Sequence, residues 1–108
     1  MASFSPDAVI DWSRSRGPFK GVYRGPRERK AFWDVFWSTF EDVQVETYGF
    51  TDAGSEVVVS NTAHMRGREG IEVIARSTFV WTVENGQITR FRMFQERAEA
   101  LEAAGLPA

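Results

Sequence analysis

The spacing of apolar residues changes once along this chain, and the change decides what it can fold into. Phe32, Phe36 and Phe40 stand at i, i+4 and i+8, flanked by Trp33, Val35 and Trp37, which is the repeat of one helix face. From Val43 the repeat shortens to two: Val43, Val45, Thr47 and Gly49 alternate with polar or aromatic residues, as in a strand. A helix with an aromatic stripe must be covered, and the strands that follow supply the cover. The expected class is α+β, with a strongly curved antiparallel sheet packed on a long helix.

Turn chemistry sets the boundaries. Gly25-Pro26 opens the helix, with Glu28 in the first turn where the helix dipole favours an anion, and its body is expected to run to about Asp42. Before it, Ala8, Val9, Ile10 and Trp12 suggest a short strand, followed by a loop-like run through Ser13, Ser15, Gly17 and Pro18. After it come a turn at Asp52-Ala53-Gly54, a strand from Glu56 to Arg66, a turn at Gly67 to Gly70 and a strand from Ile71 to Val83. Asn85-Gly86 is a strong hairpin signal and returns the chain as a strand from Gln87 to Gln95. A short helix from Arg97 to Ala104 is stopped by Gly105, with Pro107 beyond. With 108 residues the chain supports one core, so a single domain over 1–108 is expected.

The register across Asn85-Gly86 determines which side chains share a face. A three-residue loop with a glycine bulge would set Trp81 opposite Thr89, Phe79 opposite Phe91 and Ser77 opposite Met93. One face would then carry Val58, Ser60, Thr62, His64, Val73, Ala75, Ser77, Phe79, Trp81, Phe91, Met93 and Gln95. The other would carry Asn61, Arg76, Thr78, Thr82, Arg90 and Arg92. A two-residue loop would put Phe79 and Trp81 beside Arg92 and Arg90 and mix the faces.

Composition excludes several classes of function. A formal charge of -2 from 13 basic and 15 acidic side chains gives no attraction to nucleic acid or anionic lipid. No cysteine and one histidine leave no thiol nucleophile and no zinc site. No apolar run approaches the roughly 20 residues of a membrane helix, and residues 1–7 lack the basic and apolar regions of a secretion signal. A cytoplasmic location without metal or organic cofactor is expected.

The run from Phe79 to Arg92, with the hairpin Val83-Glu84-Asn85-Gly86-Gln87 at its centre, and Arg97 to Leu106 after it, resemble the end of a SnoaL-like domain of the nuclear-transport-factor-two-like superfamily. Asp11 to Ser15, Gly21 to Gly25 and Met65 to Arg68 resemble its strand, helix-entry and hairpin segments. The resemblance covers almost the whole chain. It implies a cone-shaped half-barrel with an apolar pocket, often a homodimer packed sheet against sheet. It implies no single activity, since relatives include ketosteroid isomerases, polyketide cyclases, epoxide hydrolases, dehydratases and non-catalytic proteins. Family members usually begin with one or two helices that close the pocket, whereas here residues 1–7 alone precede the expected first strand.

Against that resemblance, Trp12 stands where ketosteroid isomerases carry their general base, and Asp11 is one residue before it. An apolar wall would raise the Asp11 pKa and make it a better base near neutral pH. His64 is the one imidazole and a candidate acid or base. Tyr23 and Tyr48 could donate to a carbonyl oxygen and Gln95 could orient a water or ligand. With 4 Trp and 9 Phe, Trp12, Phe79, Trp81 and Phe91 are expected to line a cavity, with Ser77 and Met93 on the same face. Two readings remain open. One is a cofactor-independent isomerase, cyclase or hydrolase acting on a small apolar substrate through Asp11 or His64. The other is a non-catalytic ligand-binding or dimerisation module, favoured by Phe79 and Met93 where related enzymes keep ionisable groups.

Overall fold

The computed structural model describes residues 3–15 and 19–107. Six strands and two helices follow in the order β1 (Ser3–Asp11), β2 (Val22–Arg24), α1 (Gly25–Thr39), β3 (Phe40–Ala53), β4 (Glu56–Gly67), β5 (Glu72–Glu84), β6 (Gln87–Phe94) and α2 (Arg97–Ala103). They form one curved, unclosed sheet with strand order β2-β1-β6-β5-β4-β3. The meander β3 to β6 is antiparallel. β1 joins it parallel to β6, with the short β2 antiparallel on its outer side. Among the described residues no helix is long and apolar enough to cross a membrane.

α1 ends earlier than its aromatic repeat suggests. Phe40 is already extended, at φ -116° and ψ 138°, and opens β3. Glu41 and Asp42 would lie at the negative end of the helix dipole. The hydroxyls of Ser38 and Thr39 both donate to the Val35 carbonyl, at 3.0 and 2.7 Å, and close the last turn. At the other end the Glu28 carboxylate accepts the Arg24 backbone N–H at 3.0 Å, which satisfies a donor that the helix leaves open. β1 begins at Ser3, five residues before the expected start. Its pairing with β6 shifts between Phe4 and Val9, where Arg29 of α1 donates to the carbonyls of Pro6 (3.3 Å) and Ala8 (2.8 Å). The Gly17 and Pro18 positions of the expected loop lie outside the described residues.

The hairpin differs from the sequence expectation in mechanism. Glu84 pairs with Gln87, so Asn85 and Gly86, at φ 52° and 75°, form a two-residue turn. A shift between Thr82 and Val83 then places one extra residue, Thr89, in β6. Beyond it Trp81 opposes Phe91 and Phe79 opposes Met93, where Thr89 and Phe91 were expected. The bulge restores the segregation that a plain two-residue loop would have lost. On β4 the expected faces are exchanged: Val59 pairs with Phe79 and Asn61 with Ser77, while His64 pairs with Ile74 and Ser60 with Thr78. Val58, Ser60, Thr62 and His64 therefore lie on the face away from Phe79, and Asn61 on the face that carries it. The five-residue connection from Gly67 to Ile71 sets this register, with Gly67 donating to the Ile71 carbonyl at 2.8 Å.

The sheet consequently has a core on each side. On one, Ile10, Phe91 and Phe32 of α1 are buried and surrounded by Phe4, Trp12, Phe19, Tyr23, Trp33, Phe79 and Trp81. On the other, Val58, Val80 and Phe94 pack against Ala100, with Leu101, Ala104 and Leu106 around them.

Candidate functional site

The α1 side of the sheet gathers the rings. Trp81 and Phe91 approach to 4.2 Å between centroids, Phe79 and Phe91 to 4.7 Å, and Trp12 lies 5.3 Å from Phe32, 5.8 Å from Phe79 and 5.8 Å from Phe91. These distances are those of packed aromatic pairs, so Trp12, Phe79, Trp81 and Phe91 chiefly touch one another. Met93, 4 % exposed, extends the same face. Trp12 is held there by its backbone, which donates to the Gly21 carbonyl at 2.7 Å.

Free volume lies beside this cluster. Phe19, Tyr23, Ala31, Phe32 and Val35 surround a hollow of about 220 Å³ between α1 and the segment leading into β2. Tyr23 lies 4.7 Å from Phe32 and Phe19 6.2 Å from it. The Tyr23 hydroxyl donates to the Phe19 carbonyl at 2.9 Å, leaving its oxygen as an acceptor.

Asp11 faces away from the rings. Its Oδ1 accepts from the Ser13 N–H at 3.0 Å and the Ser13 hydroxyl at 2.6 Å, and its Oδ2 lies 3.7 Å from Arg90. Burial pushes the carboxyl pKa up, but the two Ser13 hydrogen bonds and the charges of Arg90 and Arg92 outweigh it and hold the group below its ordinary 3.8. The expected raised base is thus corrected to a lowered, paired carboxylate. Beside it Arg92 pairs with Glu56, which also accepts from Thr82 at 3.0 Å.

His64 is not brought to Asp11. It is exposed on β4, with β5 and β6 between it and β1. Measured along β4 it is six residues, roughly 20 Å, from Val58, the residue in line with Asp11 through Val80 and Arg92. There it borders a shallow cleft of about 190 Å³ with Asp42, Gln44, Arg66, Glu72 and Ile74. No cluster of metal ligands occurs among the described residues. Tyr48 is 50 % exposed on β3 and accepts from Thr62 at 3.5 Å. Gln95 donates to the Arg76 carbonyl at 3.4 Å. Ser77 lies on the ring-bearing face, opposite Asn61. Asn61 was missed there: it is 2 % exposed and donates to the Val59 carbonyl at 3.1 Å, and only the β4–β5 register could have revealed its face. Phe19 was also missed, because a lone aromatic in a turn-rich segment carries no periodic signal.

The sequence pattern of the SnoaL-like domain matches residues 1–91, and no curated protein matches the chain. Solved structures of similar fold include a nuclear-transport-factor-two-like protein of unknown function from Burkholderia pseudomallei (22% identity, 93% of this chain and 78% of that one, TM-score 0.75). A protein of ketosteroid isomerase-like fold from Catenulispora acidiphila, in complex with trimethylamine, is 14% identical over 96% of this chain and 78% of that one, with TM-score 0.74. Rv0760c from Mycobacterium tuberculosis, in complex with estradiol-17beta-hemisuccinate, is 20% identical over 86% and 75%, with TM-score 0.72.

Proposed function

We propose, for a chain that belongs to the SnoaL-like domain family, that it binds a small ring-bearing apolar molecule beside its aromatic core and carries no proton-transfer pair for it. The observation behind this reading is a division between faces. The rings and the hollow lie on the α1 side, whereas Asp11 is spent on Ser13 and Arg90, and His64 lies on the other face of β4. The hollow of about 220 Å³ is open to solvent along the exposed Ala31 and Val35, and has room for one ring or a fused pair laid against Phe19 and Phe32. Tyr23 is the polar group at its wall, and with its proton engaged by Phe19 it accepts from a ligand hydroxyl. The steroid ester bound by the Mycobacterium tuberculosis protein is a ring-bearing ligand of a similar fold and supports this class.

Titrating 2-naphthol and naphthalene against tryptophan fluorescence and protein NMR shifts tests the reading. Both compounds should bind, Tyr23→Phe should weaken 2-naphthol several-fold while sparing naphthalene, and Val35→Trp, which fills the hollow, should abolish both. Binding that Val35→Trp leaves untouched refutes the site. For catalysis, α-deuterium exchange of 2-tetralone should run at the rate of buffer alone. An acceleration removed by Asp11→Asn would establish the enzyme reading instead.

A further inference from the structure

β3 is an edge. The strand order ends on it, and among the described residues its one strand partner is β4. From Asp42 to Tyr48 that pairing is regular over seven consecutive residues, before the bulge at Gly49 and Phe50. A regular strand paired on one side presents a row of free N–H and C=O groups on the other, here roughly 23 Å long at 3.3 Å per residue. Natural edges are commonly blunted by charged side chains, by proline or by bulges. β3 has no lysine or proline, and its bulges lie at Glu41 and beyond Tyr48. Its charged residues, Glu41, Asp42, Glu46 and Asp52, are all acidic, so the edge repels acidic strands and leaves basic ones unopposed. Among the described residues Glu41 pairs with a cation, Arg66 at 4.0 Å, which is also the residue in register with Asp42.

The two faces of this edge differ. Asp42, Gln44 and Glu46 lie on one side of the sheet, and Val43, Val45 and Thr47 on the other, in register with Met65, Ala63 and Asn61. Val45 is 52 % exposed. A strand added alongside would meet carboxylates on one face and valines on the other.

We propose that β3 is a docking edge for an extended basic segment of another protein, one that alternates lysine or arginine with apolar residues and adds as a seventh strand. Charge argues for this occupant over a second copy of the chain. Two β3 strands paired about a two-fold axis at Gln44 would set Asp42 against Glu46 on both sides, and like charges directly opposite are unfavourable. Paired about Val45 they would set Asp42 against Tyr48 and Glu46 against Gln44, which offers neither carboxylate a cation. A basic strand meets the same carboxylates as cross-strand ion pairs while main-chain hydrogen bonds supply the affinity. The site is separate from the hollow beside Phe32, so failure at one leaves the other standing.

The probe is a ten-residue peptide alternating lysine and valine, with a glutamate-valine peptide of equal length as control, titrated into the full chain by NMR. The lysine peptide is expected to shift the amides of residues 42–48 and slow the exchange of those pointing outward. The control should do neither. The double variant Asp42→Lys, Glu46→Lys, at exposed sites, should fold normally by circular dichroism, lose the lysine peptide at least tenfold and gain the glutamate peptide. Absence of binding, equal binding of both peptides, or shifts confined to other strands would each overturn the proposal. So would β3 amides that are protected without peptide and lose protection on dilution, which would identify a second copy as the occupant.

Discussion

Ser13 holds the Asp11 carboxylate twice, through its backbone N–H at 3.0 Å and its hydroxyl at 2.6 Å, both on Oδ1. Because folding lowers the Asp11 pKa below 3.8, its stabilising contribution is fully present above that value and is lost as pH falls through the folded one. Ser13→Ala should raise the Asp11 pKa and cost about 1 kcal/mol near neutral pH. The deficit should shrink toward zero in acid, where both proteins carry a neutral Asp11. Urea unfolding across that pH range, with a carboxyl NMR titration, measures both effects.

Phe32 is 3 % exposed and touches Trp12, Phe19, Tyr23, Trp33 and Phe36. Phe32→Ala should cost about 3–5 kcal/mol, the usual range for a deleted buried aromatic. Phe36, on the same stripe but half-buried, should cost less when changed to alanine. Denaturant midpoints of the two variants give the order directly.

Gly86 has φ 75°, and a Cβ there would meet nothing within 4 Å. Gly86→Ala therefore isolates the backbone term, about 1–2 kcal/mol for an L-residue held in the left-handed region. Thermal unfolding should show this loss without any change in the near-ultraviolet spectrum of the tryptophans.

Glu56 pairs with Arg92, whose side chain is 12 % exposed and whose Nε has no hydrogen-bond partner among the described residues. Glu56→Gln should cost about 1.5–3 kcal/mol by weakening a hydrogen bond to a charged group. Replacing both residues with methionine should cost less than the sum of the single replacements, since a buried pair is dearer to break than to remove. A double-mutant cycle supplies the comparison.

Much of the fold was legible because its signals are local. Asn85-Gly86 forms its turn, Pro26 lies in the first turn of α1, and Gly105 follows α2. What was not legible depended on single-residue shifts. The bulge at Thr89 and the connection after Gly67 together decide which face each β4 residue shares with Phe79, and neither leaves a compositional mark. The aromatic set was readable from residue type alone. The fate of Asp11 was not, because Ser13, Arg90 and Arg92 act on it from a turn and a neighbouring strand. β2 was missed for its length: three residues, Val22–Arg24, are too few to show a period.

Packing on both sides of the sheet has a consequence for how the chain can change in length. β5 and β6 each hold two interleaved sets of side chains, one in the core on the α1 side and one in the core on the α2 side. Deleting one residue from the middle of β5 would send Phe79 or Trp81 toward Ala100 and bring Val80 into the ring cluster. The rings would be too large for their new surroundings and the valine too small for its own. Insertions and deletions in β5 and β6 are therefore tolerable in pairs, whereas odd ones fit where a ladder of the sheet already absorbs a spare residue: between Phe4 and Val9, at Glu41, at Gly49 and Phe50, and at Thr89.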